Sequence, residues 1–134
     1  MASGAGHALK HIMVGAVLAL AMGVPVAPAL AHAALVKTEP PRRALLAKAP
    51  AEVRLWFNED IESAYASLVV LDIGKQPVTE VTPHLAPGDQ KSLVLPLPEL
   101  APGKYSVQFR VLSLDGHVIQ SSFDFTVKGK VQEK

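Results

Sequence analysis

No cysteine occurs among the 134 residues, so neither a disulfide nor a thiolate, as nucleophile or soft metal ligand, is available. Thioether sulfur is confined to the start, because the three methionines are Met1, Met13 and Met22. An excess of charge is missing too: 13 basic side chains face 12 acidic ones and the two signs are interspersed. Without a basic stripe or polybasic tail, nucleic acid and anionic lipid are excluded as partners. Aromatics are only 5% of the chain. The longest apolar run, residues 12–26, is shorter than the roughly 20 residues that span a bilayer.

What is present begins with the three parts of a secretory signal. Lys10, with His7 and His11, gives a weakly basic start; the apolar run follows; Pro25 and Pro28 break any helix, and the small residues Ala29 and Ala31 occupy the positions a signal peptidase reads. Cleavage after Ala31 is therefore expected. An uncut membrane anchor is the alternative, and the short run speaks against it. A cut at Ala33-Ala34 competes. The expected division is a cleaved signal at residues 1–31, one domain at 32–128 and a charged, mobile tail at 129–134.

Between proline, glycine and aspartate the remaining segments are short, apolar and rich in Val, Leu, Tyr and Phe. Residues 34–38 can form a strand ending at Pro40-Pro41. Residues 52–57 alternate, with Val53, Leu55 and Phe57 on one face, and residues 66–71 read as a buried strand. Residues 72–75 are a turn, 76–81 a weak edge strand, and 82–90 a polar loop. Residues 92–97 form a strand, and 98–103 a connection. Tyr105, Val107, Phe109 and Val111 mark the inner face of the longest strand, and Phe123, Phe125 and Val127 that of the last, 117–127. Seven short strands without helical period predict an all-β, immunoglobulin-like Greek-key sandwich or barrel. Trp56 points away from Val53 and Leu55 and is read as a residue under a loop or at the sandwich rim.

The chemistry rests on few residues. In Asp115-Gly116-His117, residues two apart project to the same side if the backbone is extended, so a carboxylate and an imidazole can converge. An Asp-Gly hairpin turn followed by a solvated histidine is the plain alternative. His32 changes the balance. As a new N-terminus it offers an amine and its own Nδ1 to one metal ion, which no internal histidine can do. With Asp115 and His117 it makes four N/O donors, a set suited to tetragonal Cu(II). Zinc is the competitor, although it prefers a tetrahedron. The ligands bind deprotonated, and a terminal amine has a pKa of about 8, so affinity should fall as pH drops.

At these residues the chain resembles the CopC-type periplasmic copper-binding proteins. The resemblance is carried by His32-Ala33, the Pro40 segment, Leu55-Trp56-Phe57-Asn58-Glu59, Leu100-Ala101-Pro102-Gly103-Lys104-Tyr105 and Arg110-Val111-Leu112-Ser113-Leu114-Asp115-Gly116-His117. It implies Cu(II) ligation by His32, Asp115 and His117. Glu59 falls where the family has an acidic residue near the metal, implying a hydrogen-bond acceptor there; a charged strand end is the alternative. The methionine-rich loop of some members is missing, and residues 76–91 hold only His84 as a candidate donor. One imidazole without partners cannot hold copper, so a single Cu(II) site and no high-affinity Cu(I) site are expected.

The resemblance implies a monomeric periplasmic copper carrier or scavenger without catalytic activity, passing its ion to a CopD-like inner-membrane importer or another envelope protein. An N-terminal histidine brace is also the copper site of lytic polysaccharide monooxygenases, so an enzyme is the competing class. The scarcity of aromatics argues against it. A metal-free structural sandwich would leave the pairing of His32 with Asp115-Gly116-His117 unexplained.

Overall fold

The alternating segments fold as their patterns dictate. In the computed structural model, which describes residues 34–129, they form eight strands: β1 (Leu35–Glu39), β2 (Ala44–Leu46), β3 (Glu52–Phe57), β4 (Ser67–Leu71), β5 (His84–Ala86), β6 (Asp89–Pro96), β7 (Gly103–Leu112) and β8 (Val118–Val127). One sheet has the order β1-β3-β6-β5, the other β2-β8-β7-β4. All neighbours are antiparallel except β2 and β8, which run parallel.

Every second residue of the long strands turns inward. Val53, Leu55 and Phe57 of β3 and Leu93 and Leu95 of β6 meet Leu68 and Val70 of β4, the four alternating residues Tyr105 to Val111 of β7, and Phe123, Phe125 and Val127 of β8 in one buried cluster. Phe57 and Phe109 join the two sheets edge to face at 5.9 Å. Burying one such side chain contributes about 1.5–3 kcal/mol. The sixteen buried residues of this cluster supply the cohesion that disulfides give many small domains.

Two local expectations are corrected, and one strand is added to them. Residues 76–81 form no strand: Pro77 makes a lone antiparallel bridge to Leu71, flanked by Asp72 N–H to Gln76 O and Val78 N–H to Val70 O, both 2.9 Å, and the pairing goes no further. The expected polar loop 82–90 instead holds β5 and the start of β6, a hairpin turning at Pro87 and at Gly88, whose φ is +73°. Finally, β2 pairs three residues with β8, a partner about eighty positions away that no local pattern announces. Residues 129–134 were expected to form a mobile tail; positions 130–134 lie outside the described residues, as do 1–33.

Beyond β3, the chain crosses from one sheet to the other. The Ile61 N–H donates to Gln90 O at 2.9 Å on one side, while the Glu62 N–H donates to Leu112 O at 2.9 Å on the other. Ile61, buried in the core cluster, also bridges to Ser113. Residues 58–62 thus strap one end of the sandwich, and the β7–β8 turn is tied to that strap.

Candidate metal centre

The turn from Ser113 to His117 is closed by two backbone bonds, Ser113 N–H to His117 O and Gly116 N–H to Ser113 O, both 2.9 Å. Gly116 sits at φ +93°, a conformation that glycine adopts without strain. This bend, the Asp-Gly turn that is the alternative to an extended backbone, brings the two side chains together. His117 Nδ1 lies 3.0 Å from Asp115 Oδ1. The side chains remain 48% and 36% exposed, so an ion can reach both.

Asp115 Oδ1 is also gripped from below. The Ser113 hydroxyl donates to it in a short contact, and the His117 N–H approaches it at 3.3 Å. Stabilisation of the anion, by the Ser113 hydroxyl first and then by the His117 ring, lowers the Asp115 pKa from 3.8 to about 2. Asp115 is therefore an anionic oxygen donor throughout the neutral range. Sequence reasoning gave Ser113 no role; its only signal was a hydroxyl two positions before the aspartate.

His32 lies outside the described residues. Ala34, two positions later, opens them, and its place is set by a reciprocal pair: the Ala34 N–H donates to Asn58 Oδ1 at 2.6 Å, and the Asn58 N–H donates to Ala34 O at 3.0 Å. Asn58 begins the strap. Two residues on, Asp60 O accepts the Leu114 N–H at 3.0 Å. Backbone bonds thus tether both Ala34 and the Asp115–His117 turn to one five-residue segment.

Glu59 sits half-buried within that strap. His84 is elsewhere: it is exposed on β5, opposite Val94, at the sheet edge away from β1. Trp56 lies half-buried on the outer face, with Lys37 Nζ and the Arg54 guanidinium each 4.6 Å from its ring centroid. Among the described residues no group of three or more His, Asp or Glu could hold a metal ion; Asp115 and His117 are a pair.

The family model of the CopC domain matches residues 35–128. The chain belongs to the CopC family. Copper resistance protein C of Escherichia coli is 32% identical over 126 residues, covering 89% of this chain and 96% of the relative. Protein YobA of Escherichia coli K12 is 31% identical over 99 residues, covering 73% and 80%. Among solved structures, CopC from Methylosinus trichosporium OB3b superposes with a TM-score of 0.70 at 35% identity, covering 77% of this chain and 100% of that one. PcoC, a methionine-rich copper resistance protein from Escherichia coli, gives 0.59 at 30% identity, covering 73% and 100%. These CopC relatives share the two-sheet sandwich described above, and membership implies copper as the ion handled.

Proposed function

We propose that this CopC protein is exported, loses residues 1–31, and holds one Cu(II) ion through the amine and imidazole of His32 together with Asp115 and His117. The observation that carries this reading is the strap. It ties Ala34, two positions after His32 in the sequence, and the Asp115–His117 turn to the same end of the sandwich. The Asp115–His117 pair alone offers two donors, and a stable site needs more. Donors at the ends of two bonds of about 2.1 Å that meet near a right angle are about 3.0 Å apart, which agrees with the 3.0 Å between Asp115 Oδ1 and His117 Nδ1. Cu(II) favours that tetragonal arrangement of nitrogen and oxygen. In the ion-free protein the same contact is a hydrogen bond.

In this reading Glu59, carried by the strap, accepts a hydrogen bond from an N–H of the bound ligands. The protein acts as a monomeric periplasmic carrier or scavenger in copper resistance, without catalytic turnover, and yields its ion to an inner-membrane importer or another envelope protein. Unlike the methionine-rich PcoC, this chain has no methionine after Met22, so Cu(I) finds no thioether cluster.

Intact mass of the exported protein, followed by Cu(II) titration under electron paramagnetic resonance, tests the reading. A start at His32 and one equivalent of copper with nitrogen hyperfine structure are expected. Adding one residue before His32 should abolish that signature; its persistence would show that the amine is not a ligand.

A further inference from the structure

Ser113 is 1% exposed, yet its side chain points at both halves of the proposed donor pair. Its hydroxyl donates to Asp115 Oδ1 and accepts the His117 N–H at 3.2 Å. A second acceptor, His117 O, lies 3.3 Å away, but a hydroxyl has one proton. The anionic carboxylate is the stronger acceptor and the nearer one, so it takes that proton. Burial keeps water from replacing the hydroxyl, and Ser113 is itself fixed by its bridge to Ile61. A single oxygen anchored in the core therefore holds the side chain of one donor residue and the backbone of the other.

We infer that Ser113 is the positioning residue of the copper site, holding Asp115 and His117 at the spacing the ion requires before it arrives. The inference rests on the Cu(II) reading above. Without this clasp the Asp115 carboxylate keeps only its contacts with His117 and gains freedom about χ1 and χ2, which must be lost again when the ion binds. Accepting the hydroxyl does not block ligation, because an ionised carboxylate has about four lone-pair sites. Removing an outer partner of a metal ligand typically weakens metal binding about 10–100-fold.

The test compares S113A, S113T and S113V in the exported protein, with D115N as the reference. Thr and Val have the same shape and differ in the hydroxyl alone, so any steric disturbance at the buried position is common to both. Cu(II) affinity by chelator competition, the paramagnetic resonance spectrum and the thermal unfolding of the copper-free protein are measured for each. A loss of about 10–100-fold in S113A and S113V, a changed copper spectrum and recovery in S113T are expected. Wild-type affinity and spectrum in S113V, with D115N impaired, would overturn the role of Ser113 and leave the copper site standing. Wild-type binding by D115N would remove Asp115 from the site, and the inference with it. A variant that melts early but keeps the wild-type affinity and spectrum assigns Ser113 to folding alone and overturns the inference.

Discussion

His117 Nδ1 lies 3.0 Å from Asp115 Oδ1, across a single glycine held at φ +93°. The two donors meet because the chain reverses between them. A turn residue therefore controls the geometry of the pair, and the long strands β7 and β8 on either side keep the turn from drifting.

Substituting Gly116 separates backbone strain from crowding, since a Cβ added there would meet no atom within 4 Å. Left-handed backbone costs a residue with a Cβ about 1–2 kcal/mol. Gly116→Ala should lower stability by about that amount in chemical unfolding and weaken Cu(II) binding, as the turn relaxes. Asn, which tolerates positive φ, should lose less on both counts.

Acid should reach the turn through Asp115, whose pKa is lowered from 3.8 to about 2, by the Ser113 hydroxyl first and the His117 ring second. A carboxyl that is more acidic in the fold than in the unfolded chain stabilises the fold while it is ionised. Its contribution is complete above pH 3.8 and is lost as pH falls through about 2. A carboxyl-carbon NMR titration of the copper-free protein should place Asp115 near that lower value, and S113A should raise it towards 3.8. An unchanged titration in S113A would show that the hydroxyl is not the cause.

Asn58 makes a third prediction. Its side chain accepts from Ala34 N–H and its own N–H reaches Ala34 O, so Asn58→Ala removes the side-chain half of this pair, next to the start of β1. A stability loss of about 0.5–1.5 kcal/mol is expected. Because the proposed His32 chelate is two residues before Ala34, Cu(II) affinity should fall as well. Competition titration checks this: unchanged affinity would mean that the seat of Ala34 does not matter to the ion.

Strands with alternating cores were legible because burial imposes a period of two: Val53, Leu55 and Phe57, or Tyr105 to Val111, announce their own inner faces. The failures have different causes. At residues 76–81 the composition suits a strand, but the pairing with β4 stops after one bridge at Pro77. The strand β2 depends on β8, far along the chain, and β5 on a two-residue turn at Pro87-Gly88 inside a segment that looked like loop. In the site, Asp115 and His117 could be read from chemistry and spacing. Ser113 and Asn58 could not, since a serine and an asparagine acquire meaning only when the fold shows which oxygen faces which N–H.

Scaffold and site should also separate thermodynamically. Phe125 is fully buried and stacks on Tyr105 at 5.4 Å, within the sheet that carries the turn. Phe125→Ala should cost about 3–5 kcal/mol, seen as a lower unfolding midpoint with or without copper. A ligand that binds only the folded state adds stability set by its concentration over Kd, about 2.7 kcal/mol at a hundredfold excess over Kd. That increment belongs to the site and not to the core. Cu(II) should therefore raise the stability of Phe125→Ala and the unsubstituted protein by the same amount, while Asp115→Ala and His117→Ala should gain much less. If the four proteins gained equally, the ion would be stabilising the sandwich from somewhere other than the β7–β8 turn.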